Sequence, residues 1–210
     1  MTASELSEDR LVELAATGDV SAVNALLEQH RERLIHMVTI RMDPRVAKRV
    51  DASDVVQDSL LEAYEKLEEY AKKRPLPFYP WLRQITWQRL MHTHECHIYR
   101  KKRSVVREQI ASLTLSNDSV VGLAEHLVDG GTSPSGGAMR EELQRRVRAA
   151  LDELSPRDGE VLVMRYLEHM SVSEISATLQ ISENAVRMRQ LRALQKMRKT
   201  LSSDDRANES

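Results

Sequence analysis

Apolar residues recur every three or four positions along most of the chain, a spacing that places them on one face of a helix. Alternating apolar and polar runs of the β type are nearly absent. Glycine and proline are scarce, with 7 and 6 in 210 residues. The pattern therefore predicts an all-α fold class. Helical stripes occur at Leu11, Leu14 and Ala15, at Val23, Leu26, Leu27, Leu34 and Val38, and at Leu143, Val147, Leu151 and Leu154.

Capping residues divide the first half of this pattern into separate helices. Gly18-Asp19 interrupts the first stripe, and Ser21 is a candidate N-cap for the helix that follows. Asp51 or Ser53 can cap a later helix, since either side chain can accept a hydrogen bond from a first-turn amide.

A glycine-rich stretch divides the chain into two helical parts. Residues 104–139 hold five of the seven glycines and a Ser-Pro-Ser sequence at 133–135. Such composition is typical of a flexible linker. The sequence therefore predicts two small helical domains, over 10–103 and 140–201.

Charge is unevenly distributed although the net charge is only −1. Residues 51–70 hold seven acids and one base, a balance of −6. Residues 89–107 hold six bases and one acid, and so do residues 183–199, a balance of +5 for each. One acidic helix and two basic segments therefore point to partners of opposite charge at different places along the chain.

Composition also indicates the cellular compartment in which the protein acts and the kinds of catalysis that are not expected of it. Cys96 is the sole cysteine, so an intramolecular disulfide is impossible. The first ten residues are polar and acidic, unlike a secretory signal, and no apolar run approaches the ~20 residues of a membrane span. We expect a cytoplasmic protein without membrane insertion. No phosphate-binding glycine loop or catalytic triad can be assembled, so we expect no enzyme activity and no cofactor.

The segment from Ser171 to Met197 predicts a helix-turn-helix. Ser171 can cap a first helix with Glu174, the tripeptide at 180–182 makes a tight turn, and Ser182 can cap a second helix. The second helix of such a motif enters the DNA major groove. Its predicted inner side consists of Val186, Leu191, Leu194 and Met197.

The C-terminal part resembles the helix-turn-helix domain of sigma-70 family initiation factors. The resemblance lies in Leu-Ser-Pro-Arg at 154–157, Val-Ser-Glu-Ile-Ser at 172–176 and Ile-Ser-Glu-Asn-Ala-Val-Arg-Met-Arg at 181–189. Departures from the family pattern are Asn184-Ala185 and the polar Gln190 at an apolar position. The resemblance implies that this domain reads the minus-thirty-five duplex. The residues it assigns to that contact are Ser182, Asn184, Arg187, Arg189, Arg192 and Lys196.

The N-terminal part resembles the same family at the start of its acidic helix. Asp-Ala-Ser-Asp-Val-Val-Gln-Asp at 51–58 is similar to the family's phrase for binding the clamp helices of the largest RNA polymerase subunit. Asp51, Asp54 and Asp58 share one helix face, which suits a basic partner helix. By charge alone, an ordinary solvated face is the alternative. The residues implied for polymerase binding are Asp51, Asp54, Val55, Gln57 and Asp58.

The segment after the acidic helix resembles the part of the family that engages the minus-ten element. Pro75, Pro77 and Pro80 predict a loop over 72–80 and a helix from about 81 to 103. The loop is where the resemblance implies capture of a flipped base, and aromatic and cationic side chains suit an unpaired strand. For Trp81, core packing and DNA contact both stay open. The residues implied for minus-ten DNA are Lys73, Phe78, Trp81, Arg83, Gln84, Gln88, Arg89 and Arg100.

The two-domain order is similar to that of the extracytoplasmic-function group of sigma factors. It implies core RNA polymerase, through its clamp helices and flap region, promoter DNA and an anti-sigma protein as partners. Two alternatives remain: a dimeric helix-turn-helix regulator that acts without polymerase, and a metal-dependent sensor or enzyme using His92, His94, Glu95, Cys96 and His97. His92 and Cys96 are i, i+4 neighbours, but the cluster lacks evident outer hydrogen-bond partners, so we predict no metal site.

Overall fold

The computed structural model of the chain describes residues 6–98, 115, 119–120, 123 and 137–208. Every regular element in these residues is helical, with no strand among them, which confirms the predicted all-α class. The chain divides into two compact units, Met1–Ser104 and Val105–Ser210. No helix in the described ranges is long and apolar enough to cross a membrane.

The first unit is built from five helices in its described part. They are α1 (Glu8–Ala16), α2 (Val20–Arg41), α3 (Pro44–Ala47), α4 (Ala52–Lys73) and α5 (Phe78–Ile98). The long helices α2, α4 and α5 pack on one another, and α1 packs against α2 and α4. Their shared core is apolar and fully enclosed at Leu26, Leu34, Val56, Ala63, Leu82 and Leu90.

Two predicted boundaries in this unit were wrong. Asp19, not Ser21, caps α2, because its carboxylate accepts from the amides of Ser21 and Ala22 at 2.9 and 3.1 Å. Helix α5 begins at Phe78 rather than near Trp81. Pro80 therefore lies inside the first turn, where proline is tolerated since that amide has no intrahelical acceptor.

The second unit contains the predicted helix-turn-helix. Its described helices are α6 (Gly137–Asp152), α7 (Pro156–Leu162), α8 (Val172–Leu179) and α9 (Glu183–Asn208), with a π-helical turn at Val163–Leu167 after α7. Ser155 caps α7 with Pro156 at its first position, as predicted. The enclosed core contains Val147, Leu162, Val163, Met170, Ile175, Val186 and Met197.

Most of the predicted linker, 104–139, lies outside the described residues. Where it is described, Leu115, Val120 and Leu123 are buried. The carbonyl of Leu115 accepts from the Arg148 guanidinium of α6 at 3.2 Å. These points of the stretch therefore pack against the chain instead of lying in solvent.

A buried histidine joins α5 to the turn before α3. Nε2 of His94 accepts a hydrogen bond from the Asp43 amide at 3.2 Å, and His94 is only 5% exposed. The Asp43 carboxylate in turn holds the guanidinium of Arg45 at 2.7 Å. Burial lowers the pKa of His94 below its ordinary 6.5, against the opposing pull of the Asp43 charge. The neutral ring is the form that this contact requires, because a protonated Nε2 cannot accept.

We predict that this contact makes the first unit less stable in mild acid. The folded protein disfavours protonated His94, so stability is fully present above about pH 6.5 and falls as the pH drops below that value. His94→Gln keeps an acceptor without titrating and should flatten the dependence, measured as the free energy of urea unfolding between pH 5 and 8. His92→Gln, on the exposed side of the same helix, should leave the dependence unchanged. An unchanged slope in His94→Gln would contradict this account.

Candidate nucleic-acid and polymerase interfaces

One exposed stripe runs along the N-terminal half of α4. Val56, Leu60 and Ala63 face the core at 0–6% exposure, which turns the residues on the opposite side of the helix outward. We call these outward residues the α4 stripe: Asp54, Gln57, Asp58, Leu61 and Glu65. The stripe thus combines carboxylates with one amide and one large apolar side chain.

Two residues predicted for polymerase binding have structural roles. Val55 is 2% exposed and packs in the core, so it is corrected from a contact residue to a residue that supports the helix. Asp51 is exposed but caps α4, its carboxylate accepting from the Ser53 amide at 2.8 Å. That backbone hydrogen bond lowers the pKa of Asp51 and keeps the carboxylate ionised at the positive end of the helix dipole.

The remaining acids of α4 are neutralised along the helix. Glu62 pairs with Lys66 at 2.6 Å and with Arg89 of α5 at 3.0 Å. Glu68 and Glu69 pair with Lys72 and Lys73 one turn on. Asp54, Asp58 and Glu65 have no such cation in the part of the chain that the structure describes. The uncompensated negative charge of the helix therefore lies along the α4 stripe. One residue of the stripe also contacts α2, because the side-chain carbonyl of Gln57 accepts a hydrogen bond from the Arg31 guanidinium at 2.9 Å.

Sequence reasoning missed the exposed apolar residues of α4. Leu61 and Tyr64 are 56% and 55% exposed. Leu61 lies three residues after Asp58 and four after Gln57, which places it on the same face. That spacing is visible in the sequence and is the signal by which Leu61 could have been assigned to the exposed face.

Helix α5 exposes a face of aromatic and amide groups. Trp81 is half-buried, its ring stacked on Tyr70 with centroids 4.3 Å apart. Gln84 and Gln88 lie one and two turns further along the same side and are exposed. For Trp81, this stacking shows the packing role in part, and contact with DNA stays a prediction that its remaining exposure permits.

The structure corrects two members of the predicted minus-ten set. Phe78 is 1% exposed and packs its ring edge against Tyr70, and Arg83 is 3% exposed. Neither presents a surface to DNA in this conformation. Lys73 and Arg89 reach the surface but hold Glu69 and Glu62, respectively. Arg100 lies outside the described residues.

A cleft of about 410 Å³ opens beside the loop that joins α4 to α5. Residues 74–78 and Tyr70 line one side, and Glu8, Asp9 and Val12 of α1 line the other. Arg74 ends α4 in the left-handed region (φ 39°), and its guanidinium meets the Asp9 carboxylate at 2.9 Å. The hydroxyl of Tyr70 donates to the Leu76 carbonyl at 3.0 Å and holds the loop against α4.

The helix-turn-helix geometry follows from polar caps on both sides of its turn. Ser171 and Glu174 form the predicted capping box at the start of α8. Gln180 takes the left-handed conformation (φ 53°) that ends α8, and the Ser176 hydroxyl donates to the Ile181 carbonyl across the turn. Ser182 then accepts from the Ala185 amide at 3.2 Å and starts α9. These local bonds fix the direction in which α9 leaves the turn.

The inner side of α9 differs from the predicted one at two positions. Leu191 is 48% exposed, whereas Ala193 is buried at 1% between the buried Val186 and Met197. Gln190, the polar departure from the family pattern, donates its amide to the Tyr166 hydroxyl at 2.9 Å. A hydrogen bond thus replaces the apolar contact expected there.

The basic side chains of α9 are exposed and held by weak contacts. Arg187 pairs with Glu183 at 2.7 Å with 59% of its side chain exposed. Arg192 stands 3.8 Å from Asp158 with 62% exposed. Lys196 is exposed and donates to the Glu153 carbonyl. Asn184 and Ser182 are also exposed, and Arg189 is half-buried. The predicted minus-thirty-five residues therefore share one accessible helix with its N-cap.

The histidine-rich end of α5 is split between surface and core. His92 and Cys96 are exposed and in contact, with Nε2 and Sγ 3.6 Å apart, while His94 points into the core. Within the described ranges, no group of three potential ligands is close enough to hold a metal ion.

Comparison with known proteins identifies both units. Residues 26–103 match Sigma-70 region 2, and residues 150–199 match Sigma-70, region 4. The ECF RNA polymerase sigma-E factor of Haemophilus influenzae is 28% identical over 191 residues, which cover 91% of this chain and 93% of that protein. The sigma-E factor of Escherichia coli K12 is 24% identical over 90% of this chain and 91% of its own length.

A solved structure, that of CnrH in complex with the cytosolic domain of CnrY, is similar in fold. Its TM-score is 0.55 at 26% identity, over 94% of this chain and 99% of that one. An acidic helix in a region-2 unit and a basic helix of a helix-turn-helix in a region-4 unit thus lie in one chain. The protein belongs to the sigma-70 family, in its extracytoplasmic-function group, and is an initiation factor that directs RNA polymerase to promoters.

Proposed function

We propose that each exposed surface described above carries one step of promoter recognition. The α4 stripe binds the clamp helices of core RNA polymerase, α5 and its neighbouring cleft hold the minus-ten strand, and α9 reads the minus-thirty-five duplex. The observation that carries the proposal is the segregation of charge: uncompensated carboxylates on α4 and exposed guanidinium groups on α9. The chain supplies binding energy only, and polymerase performs the phosphoryl transfer.

The composition of the α4 stripe supports a protein partner. Asp54 and Asp58 can pair with cations of a basic helix, and burial of Leu61, which follows Asp58 on the same face, adds a favourable apolar term of roughly 1.5–3 kcal/mol. A solvated face has no need for an exposed leucine between carboxylates. The mixture therefore favours a binding surface over an ordinary solvated one.

The α5 face suits single-stranded DNA more than duplex DNA. The exposed part of the Trp81 ring offers a surface on which a base can stack, and the amides of Gln84 and Gln88 can both donate to and accept from a base. The cleft beside residues 74–78 has room for one flipped base. The carboxylates of Glu8 and Asp9 on its far wall disfavour a phosphate there and can accept from an exocyclic amine.

We further propose that the chain is restrained by an anti-sigma protein and contacts the polymerase flap through its second unit. CnrH, similar in fold over nearly the whole chain, is seen bound to the cytosolic domain of CnrY. A protein that covers the α4 stripe or α9 would block binding to polymerase or to DNA. Partners of this kind would place the chain in the cytoplasm.

Run-off transcription with purified core polymerase tests the proposal as a whole. A promoter template should yield transcript only when this chain is added. A dimeric helix-turn-helix regulator, the alternative, would instead bind a palindromic duplex without polymerase and elute as a dimer in gel filtration. Template binding without core enzyme, together with no transcript, would favour that alternative.

We predict that reversing the charge of the α4 stripe abolishes polymerase binding. The double variant Asp54→Lys/Asp58→Lys should lose capture by immobilised core enzyme at least tenfold, because repulsion replaces attraction at a basic partner. The fold should survive, since both residues are exposed and neither caps the helix. Circular dichroism and thermal melting check that point.

A matched control is available on α2. Glu28 and Glu32 are exposed with the same i, i+4 spacing, so Glu28→Lys/Glu32→Lys makes the same charge change on another helix. That control should retain capture at moderate salt. Equal losses in the two variants would attribute the effect to net charge and remove the assignment of the α4 stripe.

We predict that Arg187→Ala weakens promoter binding by the holoenzyme by about 1–3 kcal/mol if the guanidinium makes a bidentate contact with a base. Competition mobility shift measures the difference. Arg145→Ala is the control, because Arg145 also pairs with a glutamate on its own exposed helix surface, Glu142 at 2.5 Å. A footprint and affinity unchanged by Arg187→Ala would exclude this residue from base reading.

A further inference from the structure

The outward face of α9 carries two large apolar side chains. Met188 and Leu191 are 47% and 48% exposed, and in the described part of the chain only Val20, Leu61 and Tyr64 share that property. Met188 lies two residues after the buried Val186, so it points about 200° away from it around the helix. Leu191 is three residues further and adjoins it on the same surface.

The surroundings of this pair are polar and cationic. Asn184 lies one turn before Met188, and Arg192 lies one turn after it. Arg187 extends beside it with most of its side chain in solvent. The pair therefore forms an apolar patch on a surface whose other side chains suit hydrogen bonds to phosphates and polar base edges.

The patch also lies at a particular place along α9. Ser182 caps the helix, so Met188 is within its first two turns. The N-terminal residues of the second helix are the ones that meet base edges in a helix-turn-helix, while later residues meet the backbone. The apolar group that a base presents in the major groove is the C5-methyl of thymine.

We propose that Met188, supported by Leu191, is a specificity-determining residue that recognises thymine methyl groups in the minus-thirty-five duplex. This inference rests on the proposed function of α9 and goes beyond it by naming the chemical group that is read. The thioether chain is unbranched and adapts to small shifts of the methyl position. The neighbouring guanidinium groups set the depth of the helix in the groove by holding phosphates.

Replacement of thymidine by deoxyuridine tests the inference at the level of one methyl group. The probe is a duplex selected by the reconstituted holoenzyme from a random-sequence promoter pool, with each thymidine of its protected upstream segment replaced in turn. At one or two positions we expect the parent holoenzyme to lose about fourfold in affinity, the effect of one buried methyl group. The Met188→Ser holoenzyme should bind the thymidine and deoxyuridine probes equally.

Two further variants separate the methyl contact from general effects. Met188→Leu keeps an apolar side chain and should retain the deoxyuridine effect. Val20→Ser removes an equally exposed apolar side chain from the first unit and should also retain it. Because Met188 is exposed, Met188→Ser should melt at the same temperature as the parent.

Several results would overturn the inference. The first is a parent holoenzyme that binds the duplex normally but whose affinity is unchanged by every deoxyuridine substitution. The second is a selected site that has no thymine in the protected segment. A third is a Met188→Ser variant that loses core polymerase in the absence of DNA while its deoxyuridine effect persists, which would assign the patch to a protein partner. If the parent holoenzyme binds no duplex at all, the proposed function itself fails, and this inference fails with it.

Discussion

The burial of one face of each long helix is the constraint on which both proposed binding surfaces depend. In α4, the enclosed side chains of Val56 and Ala63 fix the rotation of the helix about its axis. A rotation by one residue, about 100°, would bury Asp54 or Asp58 and expose part of the core, and an unpaired buried carboxylate costs several kcal/mol. Packing of the core therefore keeps the stripe facing outward, and the stripe residues need no contacts of their own to hold that position. The same argument applies to α9, where Val186 and Met197 hold the cationic side outward.

Helix ends set the second constraint, the direction in which each surface points. Asp51 starts α4, and Ser182 starts α9, each by accepting a first-turn amide. Between α8 and α9, Gln180 adopts a left-handed conformation that costs a non-glycine residue about 1 kcal/mol. The bond from the Ser176 hydroxyl to the Ile181 carbonyl stabilises that turn. Hydrogen bonds at the turns thus set the direction of each helix axis, while the apolar core fixes the rotation of the helix about that axis.

Much of this architecture could be predicted from the sequence because helical periodicity and capping are local. The all-α class and the caps at Ser155, Ser171 and Ser182 follow from residues a few positions apart. Two helix starts, at Asp19 and at Phe78, were nevertheless predicted at the wrong residue, and the other predictions that failed concern tertiary packing. Arg83 carries a charge and was assigned to the surface, yet it is buried, and periodicity alone does not reveal that. Leu191 fits an apolar stripe as well as Leu194 does, and only the packing of α9 turns it outward.

The exposed ion pairs beside the proposed DNA contacts have a consequence for binding. Pairs such as Arg187–Glu183 and Lys73–Glu69 restrain long side chains near the positions proposed for DNA contact. An exposed pair of this kind contributes only about 0–1 kcal/mol, so a phosphate can displace the carboxylate at little cost. Each phosphate so neutralised releases condensed counterions and steepens the dependence of affinity on salt, by about 0.9 in the logarithmic slope. The buried contacts do not exchange in this way. The molecule therefore keeps a salt-independent framework of packed helices, and its salt-sensitive part lies at the surfaces proposed to meet the promoter.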